Sequence, residues 1–162
     1  MAYTPHRIAN AFLSLAEKDG RTLTNMQLQK LAFLAHGYTL GIFGHPLSNQ
    51  PVHAFDWGPV FPNLYKALKK FGSGRVTERL AVSDQETEPM SVEDVNVIQA
   101  VWSAFGTRPG SSLSALTHQD GTPWTQVYSV SKYGIISDEI IEKYYHAIVH
   151  GGQKADAETT AA

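Results

Sequence analysis

The sequence predicts a mainly α-helical fold, with one compact helical domain at residues 1–152 around a buried central helix at about 25–42. Three observations lead to this prediction. Apolar residues recur at helical spacing in several segments, and hydroxyl residues or prolines stand where those segments begin. Extended structure is expected in one proline-rich stretch, as a small β-hairpin near 46–56. The hydrophobic fraction of 43% and the charged fraction of 17% are typical of a globular chain.

The first predicted helix begins at Thr4 and Pro5, a capping hydroxyl followed by proline at the first helical position. Its buried stripe is formed by Ile8, Phe12, Leu15 and Ala16. Gly20 offers a left-handed exit, and the short connection that follows places the next helix beside the first.

The central helix is predicted to begin after Thr24. Thr24 and Gln27 have the spacing of a capping box, in which each side chain accepts a hydrogen bond from the backbone N–H of the other. One apolar face follows the helical period and contains Leu28, Leu31, Ala35, Tyr38 and Ile42. Further apolar residues lie on the flanks, which is typical of a helix inside a domain.

Three residues of this helix carry specific expectations. Gln29 and Lys30 are expected at its solvent-exposed end. Gly37 lies in mid-helix at a cost of about 1 kcal/mol relative to alanine, so a neighbouring element is expected to pack closely there.

Five further helices are predicted, four of them from their start signals. Pro62 begins a helix that ends at Gly72, and Ser91 caps the next one. A short helix follows near Leu113, and Thr122 with Pro123 begins another short helix after it. Ser137 caps the last helix. Residues 153–162 have few groups to bury and are expected to form a flexible C-terminal tail.

Composition restricts the function classes. The net charge of −2 gives no general attraction to nucleic acid or to anionic membranes, so a nucleic-acid partner is not expected. Without cysteine there is no disulfide and no thiolate metal site. No signal-peptide pattern and no apolar run long enough for a bilayer are seen, so a cytoplasmic protein without a membrane partner is expected.

Catalytic and metal-binding interpretations find weak support. Ser114, His118 and Asp120 could be imagined as a triad, but no nucleophile elbow is present, and His118 is expected to bind nearby backbone instead. His146 and His150 have a chelating spacing without an evident third ligand. We therefore expect no cofactor and no enzyme, and a small hydrolase using His118 or His53 is kept as an alternative.

A DNA-binding autoregulator of its own operon is a second alternative. Basic residues gather at Lys66, Lys69, Lys70, Arg75 and Arg79, but lysines on a helix are more often a solvated face. The central helix is too apolar for a recognition helix.

The aromatic segment 55–62 is the strongest candidate for a binding surface. Its glycine and prolines fix a turn, and Trp57, Phe61 and Tyr65 are residue types enriched at interface centres. The alternative is that these rings close one end of the core. The full set of expected partner-binding residues is Lys30, Asp56, Trp57, Gly58, Pro59, Phe61, Tyr65, His118 and Trp124.

Four ordered blocks resemble the Panacea-domain antitoxin family, and the likeness covers residues 4–149. The blocks are 23–47 (with Leu28 to Leu31, Ala35 to Gly37 and His45 to Leu47), Ala54 to Tyr65, Leu116 to His118 followed by Pro123-Trp124, and Ile136 to Asp138. Ala54-Phe55 departs from the Ala-Trp that family members often carry.

The resemblance implies a cytoplasmic antitoxin, commonly prophage-associated, that neutralises a cognate toxin by direct protein contact. It also implies that SocA-like members can act as proteolytic adaptors that deliver the toxin to the ClpXP protease. No catalytic residue or cofactor is implied. We therefore expect a protein-binding module whose partners are a cognate toxin and, for an adaptor, ClpXP.

Overall fold

The computed structural model describes residues 2–161, with side chains described for 2–84 and 86–151. The predicted tail at 153–162 lies outside the residues with described side chains and stays a prediction. Within the described part, seven α-helices and a small three-stranded sheet are seen, which confirms the mainly α fold with a β insertion. The elements are α1 (Pro5–Lys18), α2 (Asn25–Phe43), β1 (Val52–Phe55), β2 (Gly58–Val60), α3 (Pro62–Leu68), α4 (Val92–Phe105), α5 (Gly110–Thr117), α6 (Pro123–Tyr128), β3 (Ile135–Ile136) and α7 (Asp138–Ala161).

Helix α2 forms the centre of the core, as predicted. The capping box is present, with the Gln27 N–H donating to Thr24 Oγ1 and the Thr24 N–H donating to Gln27 Oε1. Helices α1, α4, α5 and α7 surround α2, and α7 packs against it most extensively. Gly37 and Gly41 leave room for Tyr145 of α7, which explains a glycine in mid-helix.

Helix starts are confirmed at the predicted capping residues. Thr4 accepts from the Arg7 N–H, Ser91 from the Asp94 N–H, and Ser137 from the Ile140 N–H through its side-chain oxygen. These bonds satisfy backbone donors that have no partner inside their own helix. Local signals therefore located these helix starts. Helix α3 also begins at Pro62 as predicted, but its α-helical part ends at Leu68 and a 3₁₀ turn, Lys69–Phe71, follows before Gly72.

The sheet lies further along the chain than predicted. A hairpin is present, but its strands span 52–60 rather than 46–56, and β3 adds a third strand in the order β2-β1-β3. Pro59 is tolerated in β2 because that strand lies at an edge, where a missing N–H leaves no neighbour unpaired. The third strand pairs with β1 across about eighty residues, which no local pattern indicates.

Two expectations about burial were wrong. Gln29 and Lys30 were expected at a wet end of α2, but both are buried, with 2% and 1% exposure, because the hairpin and α3 cover this end. Ile42 was placed on the buried face and is 48% exposed, because it lies in an open groove between α2 and α4.

Within the described residues, none of the helices combines the length and apolar character that crossing a lipid bilayer requires.

Candidate partner-binding site

The hairpin presents a two-residue turn, Asp56-Trp57, at the molecular surface. Phe55 and Gly58 pair across the ends of β1 and β2, so these two residues form the whole connection. Trp57 is 72% exposed, which is far more than a tryptophan that closes a core. Gly58 has φ of +119°, a conformation that side-chain-bearing residues rarely adopt, so glycine is required at this position.

Side chains of α5, of His118 directly after it, and of α6 hold the backbone of this turn through three consecutive carbonyl groups. Trp124 Nε1 donates to the Phe55 carbonyl at 2.6 Å, and Ser114 Oγ donates to the Trp57 carbonyl at 2.9 Å. His118 Nε2 lies 3.3 Å from the Asp56 carbonyl. The backbone of the turn is thus fixed by groups far away in sequence.

The Asp56 carboxylate is held by two tyrosines. It accepts from the Tyr128 hydroxyl at 2.5 Å and from the Tyr133 hydroxyl at 2.8 Å. The hydrogen bonds from Tyr128 and Tyr133 lower the pKa of Asp56 below its usual value. The same bond raises the pKa of Tyr128 to about 12, because an ionised phenol would no longer donate.

Aromatic rings support the turn from both sides. Phe55 packs edge-on against Tyr65 and Tyr133, with ring centroids 6.0 and 5.5 Å apart. On the other side, the Trp124 ring contacts the His118 ring, with centroids 4.0 Å apart, and stacks on the Tyr128 ring, with centroids 4.4 Å apart. We call the exposed side chains of Asp56, Trp57, Tyr65 and Tyr133 the turn surface.

Lys30 lies beneath the turn. Its Nζ donates to the Pro59 carbonyl at 3.2 Å. A Cβ added to Gly58 would lie 2.9 Å from Lys30 Nζ. Burial lowers the pKa of Lys30 to about 7, because the charged ammonium loses its hydration. Next to it, Gln29 Oε1 accepts from the Phe61 N–H at 3.2 Å and thereby fixes the start of α3.

The structure brings most of the expected partner-binding residues together. Asp56, Trp57, Gly58, Pro59, Lys30, His118 and Trp124 are linked by direct contacts around the turn, and Tyr65 joins them through Phe55. Only part of this group is at the surface, because Lys30, Gly58, Pro59 and Trp124 are buried. Phe61 is fully buried and packs edge-on against His36 at 5.8 Å, so it belongs to the core.

Three residues of the site were not singled out as partner-binding by sequence reasoning. Tyr128 and Tyr133 bind Asp56, and Ser114 binds the turn, but the chain separations are between 57 and 77 residues. A tyrosine in a short helix or loop carries no local sign of such a distant partner. Tyr133 has positive φ (64°), an unusual backbone conformation that identity alone does not indicate.

The histidine and serine candidates for catalysis contact backbone carbonyl groups, and Ser114 Oγ also lies 3.4 Å from His118 Nδ1. His118 Nδ1 lies 2.6 Å from the Ser114 carbonyl, so both ring nitrogens face carbonyl oxygens. Ser114 Oγ donates to the Trp57 carbonyl, and His53 Nδ1 lies 2.9 Å from the Tyr133 carbonyl. His118 thus faces nearby backbone at Ser114, as expected, and its other ring nitrogen faces the distant Asp56 carbonyl.

The structure also shows the contacts of the residues considered for metal binding and for nucleic-acid binding. His146 and His150 stack at 4.1 Å, and the described side chains contain no group of three or more metal-binding residues. In the basic group, Lys70 pairs with Glu78 and Arg79 with Glu17, so two of its five positive charges are neutralised locally.

Comparisons with known proteins agree on one family. A family model described as "Antitoxin SocA-like, Panacea domain" matches residues 28–125. The chain is 31% identical over 124 residues to Antitoxin SocA of Caulobacter vibrioides (strain NA1000 / CB15N). That match covers 72% of this chain and 66% of the relative, just under two thirds of the relative's length. No solved structure matches the chain.

Proposed function

The chain is a member of the SocA-like Panacea antitoxin family, and from that premise we propose that it neutralises a cognate toxin by binding the toxin protein directly through the turn surface. The proposal places Trp57 at the centre of the interface, with Tyr65 and Tyr133 beside it. Family membership also favours a non-catalytic role.

The observation that carries the proposal is an exposed tryptophan on a turn whose backbone is already fixed. Trp57 is 72% exposed, while three carbonyls of the turn are bound by Trp124, His118 and Ser114. Tryptophan and tyrosine are the residues that most often dominate binding energy at interface centres. Because the turn is ordered before binding, little conformational entropy is lost when a partner contacts it.

A second step, delivery of the bound toxin to ClpXP, is part of the proposal. Its support is the resemblance to SocA-like members, for which the adaptor role is implied. An adaptor must hold the toxin and leave another face free for the protease. The turn surface is formed by the hairpin turn, Tyr65 of α3 and Tyr133, so α1 and α4 contribute no residue to it.

Co-expression tests the proposal. The protein encoded by the neighbouring gene is induced alone, with this chain, and with Trp57→Ala; we expect growth arrest, rescue, and loss of rescue. Val92→Ala is the matched control, because Val92 is an exposed apolar residue on α4. A neighbour that is harmless alone, or lethal despite this chain, contradicts the antitoxin proposal.

The adaptor step needs a separate measurement. After synthesis is stopped, we expect the toxin to disappear faster in cells that contain both this chain and ClpXP than in cells that lack either one. An unchanged toxin half-life with intact rescue would mean that the chain neutralises by binding alone.

A further inference from the structure

A cavity of about 410 Å³ opens beside the turn, between the start of α2, the hairpin and α3. Lys30 and Gln29 line it together with apolar side chains and the exposed ring of Trp57. We call this cavity the Lys30 pocket; its other lining residues are Thr24, Asn25, Met26, Val60, Tyr65, Gly72, Ser73 and Gly110. It thus adjoins the turn surface and shares Trp57 and Tyr65 with it.

The charge of Lys30 has no counter-charge in the described part of the molecule. Its Nζ makes one hydrogen bond, to the Pro59 carbonyl, and no described carboxylate lies within 4.0 Å. A protonated lysine has three N–H donors, so two remain without a described acceptor. Burying an ammonium this way is costly, and an incoming opposite charge would remove much of that cost.

The position of Lys30 favours an anion over other occupants. Helix α2 begins at Asn25 in the pocket wall, so the positive end of its dipole lies beside the same space. Met26, Val60 and Trp57 provide apolar walls, which suit the hydrocarbon part of an occupant rather than a hydrated inorganic ion. The pocket therefore matches a carboxylate attached to an apolar group.

We propose that the Lys30 pocket receives a carboxylate of the partner protein, an acidic side chain or its chain terminus, whose oxygens bind the Lys30 ammonium while neighbouring apolar atoms contact Met26, Val60 and Trp57. This inference rests on the proposed function, because it names the chemistry by which the toxin is recognised next to the turn surface.

The first experiment measures toxin binding by calorimetry with wild type and Lys30→Met. The variant keeps an unbranched side chain, shorter by one atom, and removes the charge, and we expect it to bind the toxin at least about tenfold more weakly. Lys66→Met, at an exposed site on α3, is the matched control and should bind normally. Equal affinities of wild type and Lys30→Met would overturn the inference while leaving the antitoxin proposal intact.

Proton uptake separates an ion pair from a merely structural lysine. A carboxylate stabilises the Lys30 ammonium, so wild type should take up a proton when it binds the toxin at pH 8, seen as a dependence of the heat on the buffer used. The other described titratable groups close to the pocket are His118, directly after α5, and Tyr65 on α3. The uptake should vanish in Lys30→Met and persist in His118→Asn; uptake unaffected by Lys30→Met would overturn the inference.

The toxin arm also shows which carboxylate is used. Two kinds of toxin variant are compared: one lacks the last residue, and the others carry an amide in place of one acidic side chain. One of these changes should lower the affinity of the toxin for the wild-type protein but not for Lys30→Met.

A small probe tests the pocket without the toxin. By NMR titration, 3-phenylpropionate should shift the signals of Trp57 and Met26 in wild type, and 3-phenylpropanamide should bind at least about tenfold more weakly. If the wild-type protein fails to bind the toxin, that result refutes only the proposed function. The titration with the small probe then decides the inference about the pocket. The inference would then be overturned if the acid and the amide bound equally well, or if neither of them bound.

Discussion

The ring of Tyr145 occupies the space above Gly37, so that a Cβ added to this glycine would lie 2.5 Å from the Cε2 atom of the ring. The same residue also covers Gly41, where an added Cβ would lie 2.6 Å from the Tyr145 carbonyl carbon. The two glycines thus form a flat strip on α2 that lets α7 approach closely. This contact joins the end of the chain to the central helix.

Gly37→Ala should therefore destabilise the protein by roughly 1 to 3 kcal/mol, the usual range for overpacking a core. Alanine is the better helix former by about 1 kcal/mol, but the clash with a buried ring outweighs this gain. Urea denaturation measures the change. Gly151→Ala is the control, because nothing lies within 4 Å of its added Cβ, and it should not destabilise. An unchanged or increased stability of Gly37→Ala would show that α7 can move away freely.

Lys30→Met should raise the stability of the free protein near pH 7. The pKa of Lys30 falls from its ordinary 10.5 to about 7 on folding, so the unfolded chain binds more protons between these values. Wild-type stability should consequently rise with pH from about 7 towards 10.5. The full difference corresponds to roughly 5 kcal/mol, reduced by about 1 kcal/mol for the lost bond to Pro59.

Urea titrations at several pH values between 7 and 9.5 check this prediction. The stability advantage of Lys30→Met should shrink as the pH rises, whereas Lys66→Met should differ from wild type by a constant amount. A constant advantage of Lys30→Met across the range would mean that Lys30 is not desolvated in the folded protein.

The carboxyl group of Asp56 should titrate below its ordinary pKa of 3.8, because Tyr128 and Tyr133 donate to its ionised form. These bonds contribute stability that is present above pH 3.8 and is lost as the pH falls through the lower, folded-state pKa. Carbon-detected NMR of the Asp56 carboxyl gives the midpoint directly. Tyr128→Phe should move it up towards the ordinary value, and Tyr65→Phe should leave it in place.

Trp57→Ala and Tyr65→Ala should each weaken toxin binding by roughly 2 kcal/mol or more, as expected for interface anchors. Their effect on the free protein should be small, since 72% and 39% of these residues are exposed. Trp124→Ala should instead destabilise the fold by roughly 3 kcal/mol or more, because its buried ring also binds the Phe55 carbonyl. Comparable losses of stability in Trp57→Ala and Trp124→Ala would assign Trp57 to the core.

Local patterns were enough for most helix starts but not for the site. The start of α2 was predicted correctly because Thr24 and Gln27 cap it through bonds only three residues apart. Lys30 was misplaced because its burial depends on a hairpin about thirty residues away that folds over the end of α2. In the same way, Asp56 could be named as a candidate, but its partners Tyr128 and Tyr133 lie more than seventy residues further along.

The turn between β1 and β2 is tethered by its main chain, since Trp124, His118 and Ser114 all bind carbonyl oxygens rather than side chains of residues 55–57. Carbonyl groups are present whatever the residue type. Position 57, whose side chain makes no described hydrogen bond, can therefore change without loss of the loop's shape, whereas Asp56 is also held through its carboxylate by Tyr128 and Tyr133. Under the proposed function, a change of the exposed side chain at this turn would alter which toxin is bound without requiring the domain to refold.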